Sequence, residues 1–255
     1  MRSDRRRILA ALGCVAVVLV AGLHGARAQT FDTADWDAVV KAAVHDGQVD
    51  YTALKADPRV PAFTARLATF DPATLPSPKA RLAFWLNAYN ALAISGVLAH
   101  FPGLKSVQDP YPDFGFFKRP DFKVGGKTLA LNDIENEIVR KRFADPRVHA
   151  ALNCASNSCP PLRAEAFKAE VLDAQLDDQM RTFVRDAGRN RVDAATGVVA
   201  LSSIFDWYKG DFAAAGGVAA FVAKYLDAPV AAAVSAAEKG GKLAYLPYDW
   251  TLNGH

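Results

Sequence analysis

The chain has 255 residues, 51% of them hydrophobic, with 30 basic and 27 acidic side chains for a formal net charge of +3. That apolar share, without a low-complexity tract, excludes a disordered chain. Five of the basic residues and one of the acidic ones fall within the first 28, so the rest counts 25 against 26 and keeps no basic excess for nucleic acid.

Residues 1–7 hold Arg2, Arg5, Arg6 and Arg7 against Asp4, residues 8–23 are uncharged and apolar, and Ala26-Arg27-Ala28 follows. Basic, apolar and small-residue regions in that order read as a cleavable bacterial-type export signal ending near Ala28. The working chain, 29–255, is then expected in the periplasm or outside the cell. The apolar run is shorter than the ~20 residues of a membrane span, so no stable span is expected after cleavage; the alternative is an uncleaved anchor. Residues 29–255 suit a single domain and retain two cysteines, Cys154 and Cys159.

Residues 33–44 predict a helix with Trp36, Val39, Val40 and Ala43 on one stripe, ended by a left-handed cap at Gly47. Residues 58–70 predict a second helix, and 71–78, with Pro72, Pro76 and Pro78, a loop. Residues 79–100 predict the strongest helix. Because 82–99 is apolar on nearly every face, it must be buried and central. Asn87 and Asn90 interrupt it at i, i+3 spacing and share a face. A buried amide left unpaired costs about 1–3 kcal/mol, so these two are expected to bond a loop backbone or a substrate.

Residues 101–122 read as an aromatic, proline-rich loop, and 122–131 as a hairpin about Gly125-Gly126. Asn132-Asp133-Ile134-Glu135 has the form of a capping box opening a helix to about Phe143, broken at Asp145-Pro146. Residues 148–152 predict a short buried strand and 164–187 a helix. Residues 191–193 and 198–201 flank a turn at 194–197. Short helices follow at 204–212, 218–226 and 230–239, and 242–252 forms a strand and tail. This order predicts an α+β fold, mostly helical, with a buried central helix at about 79–100 and a modest antiparallel sheet of hairpins.

One segment stands apart: Val148-His149-Ala150-Ala151-Leu152-Asn153-Cys154-Ala155-Ser156-Asn157-Ser158-Cys159-Pro160-Pro161-Leu162-Arg163. A buried element delivers a small, polar loop that two prolines stiffen, and such loops are where sites concentrate. Cysteine, histidine and asparagine are the residue types of cysteine-based acyl transfer: a thiolate attacks, an imidazole takes its proton, and an amide orients or stabilises the oxyanion. Cys154, His149, Asn87 and Asn90 are therefore the catalytic candidates. Asn153, Ser156, Ser158, Arg163 and Glu135 are the candidate binding residues. Arg163 suits an anionic group or a solvated salt bridge, and Glu135 a ligand or the helix cap. Asp249 is a carboxylate available to His149 or to a surface ion pair.

On a strand, His149 and Cys154 would face opposite sides. Pairing them requires the strand to end or bulge first, or Cys159 to turn back toward His149. The alternative to chemistry is a buried His149 bonded to backbone and a loop-closing Cys154–Cys159 disulfide, the default in an oxidising compartment. One histidine and two cysteines are too few for a structural zinc site, so no metal is expected. No Walker loop, dinucleotide fingerprint, serine elbow or H-E-x-x-H motif occurs, and no cofactor is expected.

The motifs Phe84-Trp85-Leu86-Asn87-Ala88-Tyr89-Asn90, Leu131-Asn132-Asp133-Ile134-Glu135-Asn136, the 149–160 stretch, Ser203-Ile204-Phe205-Asp206-Trp207-Tyr208 and Tyr248-Asp249-Trp250-Thr251-Leu252-Asn253 together resemble the domain of unknown function 547 family, here as an exported bacterial single-domain member. The resemblance implies a pattern (Asn or Ser)-Cys-(Ala or Gly)-Ser in which the first cysteine is the steadier. That favours Cys154 as the functional thiol over an obligatory disulfide. In some animal relatives the domain is joined to glutaredoxin-like modules and in plants to a coiled coil, which implies thiol chemistry in one case and scaffolding in the other. Three functions follow as expectations. The first is a cysteine-dependent hydrolase or acyl or peptidyl transferase using Cys154 with His149 on an unidentified small-molecule or peptide-like substrate. The second is a binding or scaffold domain with a structural disulfide, and the third a thiol-redox protein.

Overall fold

A serine followed by proline opens the central helix. Ser77 accepts the Ala80 N–H at 3.1 Å and Pro78 takes the first helical position, where its missing N–H is not needed. The helix runs Pro78–His100 and is buried without a break from Leu82 to Ile94. It is the one described helix long and apolar enough to cross a membrane, yet here it forms the core. Around it pack the helices Ala34–Ala43, Arg59–Thr69 and the 131–143 helix, in a cluster that includes Trp36, Phe63, Tyr51 and Phe167. A second apolar cluster joins the helix Leu172–Arg185 to the C-terminal third through Met180, Phe183, Phe205, Phe212 and Val222. The one-turn helix Val148–Ala151 lies at the seam, with Ala150 in the second cluster and Val148 and Ala151 in the first. This computed structural model describes residues 29–193 and 195–255; the segment read as an export signal, 1–28, and Ala194 lie outside them.

The α+β class and the buried central helix are as the sequence predicts. The strands form two hairpins, Val44–His45 with Gln48–Val49 and Phe122–Val124 with Lys127–Leu129, and one three-stranded sheet. In that sheet Arg191–Asp193 and Val198–Ser202 pair antiparallel, and Ala244–Leu246 adds to Val198–Ser202 in parallel.

Four local expectations are corrected. Gly47 does not cap a helix: Asp46 (φ 51°) and Gly47 (φ 77°) form the turn of the first hairpin, both in the left-handed region that a tight hairpin turn requires. A side chain at Gly47 would also meet Pro161 at 2.7 Å. The capping box at 132–135 is not formed. Asn132 is already helical and caps nothing, and Asp133 instead reaches back to accept the Ala130 N–H at 2.9 Å, which frees Glu135. Residues 148–152 are not a strand but the helical turn Val148–Ala151. The helix expected from 164 begins only at Leu172. Before it, side-chain amides replace helical bonds: Asn87 holds both backbone groups of Phe167, and Gln175 holds Lys168 N–H and Ala166 C=O.

Candidate active site

The cysteine loop is clamped by asparagines. From the central helix, Asn90 donates to Ala151 O at 2.9 Å and accepts the Asn153 N–H at 2.8 Å. Asn153, itself buried, donates to Pro160 O and accepts from Ala155 N–H and from Asn253. Ala155 adopts φ 63°, a left-handed conformation uncommon for a residue with a Cβ. The left-handed residue ends the extended run and swings the loop back beneath Cys154. The C-terminal segment threads alongside: Asn253 N–H bonds Ala155 O, Asn157 N–H bonds Thr251 O, and Ser158 N–H bonds Asp249 O. This threading brings Tyr248 and Trp250 to the loop.

Asn87 and Asn90 thus spend their amides on backbone, and neither lines the cleft beside Cys154; their assignment as catalytic groups is corrected. Asn90→Ala is expected to destabilise the fold by about 2–4 kcal/mol, the cost of two buried backbone groups left unpaired, and to slow alkylation of Cys154. Asn87→Ala is expected to cost a similar amount yet leave the alkylation rate unchanged. Chemical denaturation and iodoacetamide kinetics measure the two effects separately.

Both cysteines are free thiols, so the possible Cys154–Cys159 disulfide is not formed. Cys154 is half-buried; its Sγ lies 3.0 Å from Ser156 Oγ and 3.2 Å from Tyr248 Oη, and its own N–H donates to Cys159 Sγ at 2.7 Å. Burial pushes the Cys154 thiol up. Hydrogen bonds to the sulfur from Cys159, Ser156, Tyr248 and the Ser156 backbone outweigh it and bring the value down to about 7. Cys159 is buried, its thiol directed toward Leu152 O, and burial together with the neighbouring Cys154 holds it well above the ordinary thiol range. The two sulfurs are thereby differentiated, the first toward thiolate and the second toward thiol.

His149 lines the same cleft. Its Nε2 lies 2.8 Å from Asp211 Oδ2, and its ring stacks on Tyr208 at 4.2 Å between centroids. Arg140 donates to both oxygens of Asp211, Nε to the same Oδ2 at 2.7 Å and Nη2 to Oδ1 at 2.9 Å. His149 first, then Arg140, hold the Asp211 carboxyl well below the usual carboxylate range against the opposing effect of burial. An ionised carboxylate only accepts, so the proton sits on Nε2 and Nδ1 is left as the acceptor. Among the described residues Nδ1 has no hydrogen-bond partner and no buried side-chain nitrogen or oxygen is unpaired, so Nδ1 is accessible, on a residue that lines the cleft. The carboxylate partner of His149 is Asp211, not Asp249, which is occupied by Asn157 and Thr251. No hydrogen bond joins His149 to either sulfur.

The cleft encloses about 410 Å³, a volume suited to a small ligand. Its walls are largely aromatic: Tyr89, Phe114, Phe117, Trp207, Tyr208, Tyr248 and Trp250, with Glu135 and Lys118 as the charges besides the thiols and His149. Glu135 comes from the 131–143 helix, wound in π-helical turns over Asp133–Arg140, a geometry frequent at functional sites. At the mouth, Trp207 is 48% exposed and stacks on Trp250, and Phe114 is 39% exposed.

Of the predicted site residues, the structure gathers Cys154, His149 and Glu135 around one cleft, with Ser156 touching the sulfur. Asn153 serves inside the loop. Ser158 holds the Asp249 backbone, and Arg163 is paired with Glu165 and Asp178 on another face. Asp211, Tyr208, Tyr248 and the mouth aromatics were not singled out as site residues. The one available signal was that Trp207-Tyr208 and Tyr248-Asp249-Trp250 are dense aromatic motifs in otherwise alanine-rich surroundings.

Fold and site define an α+β protein, mostly helical, organised around a cysteine cleft with a carboxylate-held histidine. Residues 72–184 match the family model described as "Protein of unknown function, DUF547", a likeness that supports membership of this family over that stretch. The matched stretch contains Asn87, Asn90, Glu135, His149, Cys154 and Cys159, whereas Asp211, Tyr208, Tyr248 and Trp250 lie beyond it. No curated protein and no solved structure gives a match.

Proposed function

We propose that the protein is an exported cysteine-dependent hydrolase or acyl transferase in which Cys154 is the nucleophile and His149, oriented by Asp211, moves the protons. The observation that carries this reading is the Cys154 sulfur, lowered to about 7 by its hydrogen bonds, opening on the same cleft as a histidine whose Nδ1 is free and accessible. Export rests on the order of regions in residues 1–28. His149 Nδ1 takes the Cys154 thiol proton and becomes the imidazolium, and the thiolate attacks an acyl carbon, forming the S–C bond as the carbonyl electrons move to oxygen. Tyr248 Oη, beside the sulfur, is placed to donate to that oxyanion. When the tetrahedral centre collapses, the leaving group departs with a proton from the His149 imidazolium. Water then attacks the thioester, His149 Nδ1 takes its proton, and a carboxylate leaves as the thiol is restored; an amine in place of water makes the reaction a transfer.

An activated aryl ester is expected to release its phenol in a burst of one equivalent and leave the acyl group on Cys154, located by peptide mass spectrometry. Absence of an adduct at Cys154 sinks the reading. Cys159 beside Cys154 favours one competitor, a thiol-redox protein. Cys159→Ser separates them: acyl transfer is expected to persist within about threefold, since a thiol that stays protonated contributes one hydrogen bond. A redox function would lose exchange with dithiols entirely.

A further inference from the structure

We infer that Glu135, framed by Tyr89 and Tyr208, binds a cationic nitrogen of the substrate, so that the acyl group attacked by Cys154 belongs to an amine-bearing compound. The inference rests on the nucleophile reading above and names the substrate class for it.

Glu135 Oε1 accepts from Tyr208 Oη at 2.7 Å and Oε2 from Tyr89 Oη at 3.3 Å. Burial first, then the charge of Glu135, raise both phenols above their ordinary range, so both remain donors. A carboxylate has about four acceptor positions, and two phenols leave part of that capacity toward the cleft. Glu135 forms no ion pair among the described residues. Neither nearby cation pairs with it. Arg140 is bound twice to Asp211 and lies 4.5 Å from the centre of the Tyr208 ring. Lys118 stands over Phe114 at the mouth, 5.8 Å from that ring centre. A carboxylate among aromatic walls costs free energy unless paired. The partner that both satisfies its lone pairs and interacts favourably with aromatic faces is an ammonium or similar cation. Glu135 and Cys154 line one cleft of about 410 Å³, so a ligand of amino-acid to dipeptide size reaches both.

Methanethiosulfonates test this without a known substrate. The Cys154 thiolate attacks the reagent's sulfenyl sulfur, a disulfide forms and methanesulfinate leaves. Reagents carrying an ammonium, a sulfonate or only a methyl group are compared, each rate divided by that for 2-mercaptoethanol under the same conditions. The ammonium reagent is expected to be preferred over the sulfonate by about tenfold or more, the ratio of one desolvated charge pair. Glu135→Gln is expected to bring the ratio to about one while the methyl reagent's rate holds within about twofold. Should Glu135→Gln fail to fold, the wild-type preference must still fall steeply between low salt and about 0.5 M salt. A normalised ratio near or below one in the wild type, or a preference unchanged in Glu135→Gln, overturns the inference. A slow methyl reaction with the ammonium preference intact would instead remove the nucleophile reading alone.

Discussion

Iodoacetamide is expected to modify Cys154 along a titration curve with its midpoint near pH 7, where an ordinary thiol reacts along one centred near 9. The direction is informative because burial alone would drive the midpoint the other way. Only donors aimed at the sulfur reverse it, and they are named: Cys159, Ser156 and Tyr248. Removing one, as in Tyr248→Phe or Ser156→Ala, is expected to raise the midpoint by about one pH unit, since a hydrogen bond to a charged group contributes about 1.5–3 kcal/mol and 1.36 kcal/mol is one unit. Cys154→Ser is expected to lower acylation by at least about 10³-fold, the scale seen when a nucleophile is removed. A wild-type midpoint at or above 9 would show the sulfur to be an inert buried thiol.

Asp211→Asn is expected to slow acylation of Cys154 about 10²-fold or more while the protein remains folded. The amide keeps the shape but can donate to Nε2, which moves the imidazole proton to Nδ1 and removes the accessible acceptor. Nitrogen chemical shifts of His149 report the tautomer directly, and a rate within about threefold of wild type would exclude a proton-transfer role for this pair. Asp211 also couples the site to acid stability. Its folded-state carboxyl is depressed by His149 and Arg140, so its contribution is complete above the unfolded value of about 4. It is lost as the pH falls below that and through the depressed folded value. The wild type is therefore expected to lose stability between neutral and strongly acid pH more steeply than Asp211→Asn, a difference that denaturation at several pH values measures.

The all-round apolar helix near 79–100 and the loop carrying Cys154 were legible in the sequence because each is written in contiguous residues. A helix apolar on nearly every face demands burial, and Asn87 and Asn90 at i, i+3 in such a helix demand partners. The resemblance to the DUF547 family was legible for the same reason, through long local motifs.

What was not legible depended on which backbone groups found partners from elsewhere in the chain. The turn at 148–151 reads as a strand by composition, but it is helical because it packs at the junction of two apolar clusters. The capping box at 132–135 was a local pattern that lost to Asp133. Through that substitution Glu135 was released from a structural role into the cleft.

The sequence by itself determined the helical α+β class, the central helix and the loop that carries Cys154 and Cys159. Only the tertiary structure decided that His149 is held by Asp211 some sixty residues later, that Tyr248 rather than Asn87 or Asn90 stands beside the Cys154 sulfur, and that Cys159 lies against Cys154 as a free thiol. The physical reason is range. Burial patterns and caps act within a few turns of chain, whereas the sulfur's ionisation, the imidazole's tautomer and the cleft's charge are set by contacts between segments that meet only once the C-terminal strand and tail are threaded past the cysteine loop.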